Sequence, residues 1–223
     1  MIVAIDGPGG SGKTTVAKLV AKKLGFFYLD TGAIYRALTL KLMKEGVSLN
    51  DPLAVSQAID RTSIEFRDDR VFLDGEDVTL AIRDPEVDRV VSLIAKIPVV
   101  REKLLPLQRE LVKGRNSVVE GRDMGTVVFP EAEVKVFLTA SLSERASRRW
   151  RELLSKGKDA SLEDVLNDLK RRDDIDSNRD VAPLKVAPDA VIIDTTYKSV
   201  DEVVEEVVQL VLQRYKGSGF LSP

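Results

Sequence analysis

Two residue types are missing from this chain. There is no cysteine, which excludes disulfides and thiolate metal sites. There is no histidine either, so any mechanism works without imidazole. That removes Ser–His chemistry and the commonest metal ligand. Excess charge of one sign is also absent: the net charge is -2, so a basic site must be local, and no polycation able to coat nucleic acid is present. Long apolar runs are lacking too. VVSLIAKIPVV is short and contains Lys96 and Pro98, so it is not a membrane span. MIVAIDG begins as a strand with no charged segment before an apolar core, and no signal peptide is expected. These features point to the cytoplasm. Few Asn and Gln beside many Lys, Arg and Glu give a thermophile-like bias.

What is present suits one compact domain. The chain has 223 residues, 43% hydrophobic and 31% charged, enough to bury a substantial core. Short, often β-branched runs read as buried strands: IVAI (2–5), FFYL (26–29), SVV (117–119), VKVFL (134–138) and AVII (190–193). Amphipathic segments lie between them, two of which stop at Gly25 and Gly46. The alternation predicts an α/β fold with a parallel sheet. Ser141-x-x-Glu144, Ser161-x-x-Asp164 and Ser199-x-x-Glu202 read as capping boxes, and Pro52 and Pro85 as helix starts. Residues 62–80 break the alternation, with two β-like runs around RDDR that predict a hairpin. A mostly helical stretch follows from Pro85 to about Lys113, with expected breaks at Pro98 and Pro106. An inserted substrate-side subdomain is placed at about 62–100. The tail 217–223, GSGFLSP, has no periodicity and is expected to be disordered.

GPGGSGKT, from Gly7 to Thr14, fits G-x-x-x-x-G-K-[ST], follows a strand and opens a helix. Gly7, Pro8, Gly9, Gly10, Ser11, Gly12, Lys13, Thr14 and Thr15 are therefore candidates for holding the phosphates of ATP. Lys13 would reach the β/γ phosphates and Thr14 would bind Mg²⁺. Three classes fit such a loop. A switch GTPase needs N-K-x-D, which does not occur. A motor ATPase is usually larger. A small-molecule kinase needs a second anion site facing the first.

Two stretches offer that second site. LDTGAIYR, Leu29 to Arg36, lies at a strand's carboxyl end, where α/β proteins bind ligands. Taken alone, Thr31 also fits a helix N-cap and Arg36 a solvated surface arginine. In VVEGRDMGT, Glu120 sits where a carboxylate would hold Mg²⁺ or its water, Arg122 offers a fork for phosphate, and Asp123 could accept from an amine such as cytosine N4. A salt-bridged turn is the plainer reading.

GPGGSGKTT, LDTGAIYR, LDGEDVT, EGRDMGTVVFPEAEVKVFL and RRDDIDSNRDVAPL together resemble the bacterial cytidylate kinases, within the P-loop nucleoside monophosphate kinases. The resemblance runs from Ile2 to about Val211. It implies a three-layer P-loop fold over a five-stranded parallel sheet, a monophosphate-binding insertion that suits the hairpin, and a mobile helical lid at about 150–180. It implies that Thr31, Arg36 and Arg122 hold the acceptor phosphate and that Ser92, Arg101 and Asp123 read the cytosine edge. Arg172 and Asp176 would contact the sugar side, and Arg179 the transferring phosphates. Lys13, Arg122, Arg172 and Arg179 would then be the catalytic cations. The partners implied are ATP and CMP or dCMP, with no nucleic acid and no membrane, and the protein is expected to act as a monomer.

KRRDDIDSNRD, Lys170 to Asp180, packs four cations and four carboxylates. Its acids gather where a helix dipole prefers cations, and Arg145, Arg148 and Arg149 cluster early in the preceding helix, again against the dipole. A purely structural helix gains little from either choice, whereas a lid that closes over phosphates gains from both. Arg172, Asp176 and Arg179 are spaced to share one helical face. The expected reaction is in-line transfer of the ATP γ-phosphoryl group to CMP or dCMP. Alternatives are a kinase for UMP or AMP and a nucleotide-dependent switch protein.

Overall fold

The structure is a computed structural model that describes residues 1–67 and 70–217. Its centre is a five-stranded, all-parallel sheet. The strands are β1 (Ile2–Asp6), β2 (Phe27–Asp30), β6 (Ser117–Gly121), β7 (Val134–Thr139) and β8 (Val191–Asp194), in the order β2-β6-β1-β7-β8. The alternation of strands and helices produces this arrangement as expected. Period-two side chains explain its two dry faces. Val3, Ile5, Val118 and Val136 point to one face, packed by Val16 and Val20 of α1 (Lys13–Leu24) and Val203, Val207 and Val211 of α8 (Val200–Gly217). Ala4, Leu29 and Val119 point to the other, packed by Ile34 and Leu38 of α2 (Thr31–Lys44) and Val100 and Leu104 of α5 (Pro98–Val112). β8 departs from the expected buried strand: it is an edge, with Ile193 buried but Val191 and Ile192 exposed.

After α3 (Pro52–Asp60), the segment expected to be a hairpin is a three-stranded antiparallel sheet: β3 (Ile64–Arg67), β4 (Arg70–Leu73) and β5 (Glu76–Asp77). The missed strand follows the Asp74–Gly75 turn, where both residues have positive φ, as in a tight Asp-Gly hairpin. Asp68 and Asp69 of the RDDR turn lie outside the described residues. A 3₁₀ turn (Ala81–Arg83) and α4 (Pro85–Ala95) complete the segment, and its Ile64, Val71, Leu73 and Ile82 are buried in the same apolar cluster as Leu29 and Ile34.

The expected break at Pro98 is a helix start, but Pro106 does not interrupt the helix: it lies inside α5. Pro106 and Glu102, whose carbonyl loses its partner, are both on the exposed side, where water can satisfy that oxygen. Asp51 and Asp84 cap α3 and α4 ahead of their first-turn prolines. Of the three expected capping boxes only Ser199–Glu202 is reciprocal. Glu144 turns instead to Arg148, and Asp164 accepts from the Ser161 hydroxyl. Helices α6 (Leu142–Ser155) and α7 (Leu162–Asn178) pack on each other around their own small core of Ala146, Val165 and Leu169. The tail beyond Gly217 lies outside the described residues. Among the described residues no helix is long and apolar enough to cross a membrane.

Candidate active site

The carboxyl ends of β1, β2 and β6 converge under α6 and α7, leaving a cavity of about 700 Å³. The phosphate loop forms its floor. β1 ends at Asp6 and α1 begins at Lys13. Gly7 packs against the neighbouring strand, where a Cβ would fall 2.0 Å from the Leu138 carbonyl oxygen. Gly7 and Pro8 are thus behind the cavity wall, and the loop from Gly9 to Thr15 lines it. The Lys13 ammonium donates to the Pro8 carbonyl at 2.7 Å. Burial, with the neighbouring Arg122 cation, pulls its pKa down to about 7. Arg145 braces the loop from above, donating to the Gly9 carbonyl at 3.0 Å while pairing with Asp173 at 2.7 Å.

Glu120, at the end of β6, is buried. It accepts from the Tyr28 hydroxyl at 2.5 Å and the Thr14 hydroxyl at 3.1 Å. Burial and the nearby Asp30 raise its pKa. Thr14 and Glu120 are oxygen donors meeting at the foot of the phosphate loop. Among the described residues no cluster of three or more acidic side chains could cage a metal. That sparse, hard-oxygen set fits Mg²⁺, which keeps several waters and takes few protein ligands.

The side of the cavity facing the phosphate loop is built from α2, α4, α5 and the β6 end. Asp30, not Thr31, caps α2, accepting from Ala33 N–H at 3.0 Å. Thr31 instead donates its hydroxyl to the Glu120 carbonyl at 2.6 Å, joining α2 to β6. Arg36 is no solvated arginine: it is mostly buried and donates from Nε to Asp88 at 2.9 Å. Burial acts to lower its pKa, but Asp88 and Asp30 outweigh that and hold it above the ordinary arginine value. Its guanidinium lies over Gly32, where a Cβ would sit 2.7 Å from Nη1. This close approach explains the glycine after Thr31. Arg101 donates to the Ala95 carbonyl at 3.0 Å and pairs with Asp123. Ser92 is buried beside them in the cavity wall.

Helices α6 and α7 supply the roof. Asp176 of α7 pairs with Arg122 at 2.9 Å. The shared helical face expected for Arg172, Asp176 and Arg179 does not form as such. α7 ends at Asn178, and Arg179 caps it in an extended conformation. The bend still brings Arg179 inward, 3.6 Å from both Asp123 and Asp176. Arg172 Nε and Arg179 Nη2 are buried without a hydrogen-bond partner. Unpartnered buried donors are rare, and a cavity that awaits an anion accounts for them. For both arginines burial lowers the pKa.

Thr31, Arg36, Ser92, Arg101, Glu120, Arg122, Asp123, Arg172, Asp176 and Arg179 therefore all line the same cavity as the phosphate loop. Sequence reasoning missed three contributors. Asp6 accepts the Met124 and Gly125 N–H groups, each at 2.8 Å, and burial pushes its pKa up to about 6. Asp30 binds Arg83 at 2.6 Å. Asp88 holds Arg36. Only the strand-end position of Asp6 and Asp30 could have signalled them.

A family model described as cytidylate kinase matches residues 3–213. A curated cytidylate kinase of Caldanaerobacter subterraneus subsp. tengcongensis is 49% identical over 96% of this chain and 96% of its own length. One from Thermotoga neapolitana is 48% identical over 96% and 98%. Among solved structures, a gluconokinase from Sinorhizobium meliloti aligns at a TM-score of 0.51 with 16% identity, covering 99% of this chain and 97% of that one. An uncharacterized protein from Eubacterium ventriosum aligns at 0.52 with 14% identity, covering 96% and 98%. These last two likenesses concern the fold alone.

Proposed function

The chain belongs to the cytidylate kinase family, and from that premise we propose how its residues divide the work. The reaction is transfer of the γ-phosphoryl group of ATP to CMP, giving ADP and CDP. The observation that supports the assignment of roles is two groups of cations lining one cavity. On one side is the phosphate loop with Lys13; on the other are Arg36, Arg122, Arg172 and Arg179. Residues Gly9 to Thr15 hold the ATP phosphates, with Gly7 and Pro8 shaping the loop from behind. Thr31, Arg36 and Arg122 hold the acceptor's phosphate. Thr14 and Glu120 would hold Mg²⁺, which supplies neutralisation of the triphosphate's charge when bound.

Ser92, Arg101 and Asp123 read the base. Cytosine offers an amine donor at N4 beside acceptors at N3 and O2, and the paired carboxylate and guanidinium of Asp123 and Arg101 complement that pattern. Uracil presents the wrong group to Asp123. Arg172 and Asp176 face the sugar, where dCMP is also accepted. Arg179 joins Lys13, Arg122 and Arg172 around the transferring phosphoryl, whose transition state needs positioning and charge stabilisation more than covalent help. The acceptor is already an anion, so a chain without histidine loses nothing. The lid excludes water that would otherwise waste ATP. We read the enzyme as a monomer that acts in the cytoplasm, where both nucleotides are found.

The test is to supply Mg-ATP with CMP, dCMP, UMP or AMP and quantify ADP and the new diphosphate. CDP and dCDP with little UDP is expected. Preference for UMP or AMP would overturn the base-reading roles while leaving the phosphate loop standing. ADP without any diphosphate would favour a nucleotide switch.

A further inference from the structure

Asp88 is one of two first-turn acids of α4, with Glu86, and sequence reasoning passed over it. Its position would suit a plain helix-dipole role, but its side chain does not sit in solvent at the helix end. It is buried, and its two carboxylate oxygens are shared between different parts of the molecule. One accepts from Arg36 Nε of α2 at 2.9 Å. The other accepts from Arg149 Nη2 of the lid helix α6. Arg172 of α7, with its buried and unpartnered Nε, is near enough to act on the same carboxylate. Burial pushes Asp88 upward, yet Arg36, Arg172 and Arg149 together hold it below the usual carboxylate range.

Other carboxylates stand against the same guanidinium groups: Glu152 pairs with Arg149 at 2.8 Å, and Asp30 and Asp176 act on Arg36 and Arg172. Asp88 differs from them in joining α4 to both α2 and α6, and it does so by occupying donors, Arg36 Nε and Arg149 Nη2, that a phosphate would use.

We propose that Asp88 is a built-in competitor for the acceptor's phosphate: it holds Arg36 and the lid's Arg149 in the empty enzyme and yields them when CMP arrives. This rests on the reading that Arg36 holds the acceptor phosphate. The arrangement keeps the acceptor side and the lid tied together before substrate binds, and it lowers the affinity for bare phosphate ions. A phosphate must arrive with a nucleoside attached, whose base contacts supply the remaining binding energy.

The experiment is steady-state kinetics at saturating ATP with CMP varied and inorganic phosphate as inhibitor. In Asp88→Asn, nearly the same shape without the charge, the KM for CMP and the inhibition constant of phosphate should both fall by roughly tenfold, the worth of one charge-assisted contact. Asp88→Glu should return both towards the parent values. Asp88→Ser reads the same constants if the asparagine variant does not fold. Constants that are unchanged or raised in Asp88→Asn would overturn the proposal, because a helix-end acid or a mere positioner of Arg36 gives those results. Arg36→Ala separates the two readings. If it raises the KM for CMP while Asp88→Asn changes nothing, only the competitor role fails. If Arg36→Ala leaves that KM unchanged, the acceptor-site reading fails and takes this proposal with it.

Discussion

ATP binding should draw a proton from solution onto Lys13. This lysine is buried against Pro8, and burial and Arg122 together bring its pKa from 10.5 to about 7. A triphosphate supplies the missing counter-charge and returns the group to its ordinary range. At pH 8 the free enzyme then holds this proton in a minority of molecules, so binding takes up most of one proton per ATP, and the uptake shrinks as pH falls through about 7. The sign for stability follows from the same shift. Between pH 7 and 10.5 the unfolded chain binds a proton that the folded one does not, so this lysine makes the empty protein more stable as pH rises through that window. Titration calorimetry of ATP in buffers of different ionisation enthalpy reads the uptake as a slope. Lys13→Arg, which cannot lose its proton, should abolish the slope in whatever binding remains. A slope of zero in the parent enzyme at pH 8 would show that Lys13 is already charged when the site is empty, and the burial argument would fall.

Gly32→Ala should leave the fold intact, because the Cβ meets the far end of a side chain, yet displace Arg36 and raise the KM for CMP about tenfold with ATP binding unchanged; circular dichroism and kinetics check it, and an unaltered KM would mean that Arg36 does not serve the acceptor. Asp123→Ala should cost CMP turnover much more than UMP turnover, by about 1.5–3 kcal/mol for the lost charged hydrogen bond, measured as the ratio of kcat/KM values. Arg172→Ala and Arg179→Ala should each lower kcat by at least about tenfold; if both left turnover unchanged, the lid assignment would be wrong.

The sequence made legible what depends on local order. The phosphate loop, the strand ends before Thr31 and at Glu120 and the run of charges in α7 are contiguous signals, and they fell into one cavity. Long-range partners were not legible. Nothing near Asp88 in the chain announces Arg36 or Arg149, 52 and 61 residues away, and Asp6 reaches Met124 across 118 residues. Pro106 misled because its cost depends on whether the orphaned carbonyl meets water, which is a matter of helix orientation. Arg179 was read on a helix that had already ended. It reached the site because an extended residue at the helix end turns the chain inward. β8 read as buried because its composition is that of a central strand, while its place in the sheet is set by the other four.

Asp6 closes β1 immediately before the phosphate loop and grips the two amides that follow Asp123. On the proposed assignment, the place of the donor's phosphates and the place where the acceptor's base is read are thereby hung from one nail in the sheet. The separation between the two substrates would then be a fixed gauge belonging to the frame, which a closing roof could cover without resetting. An acceptor that is too long or too short meets a ruler, and no degree of closure shortens it.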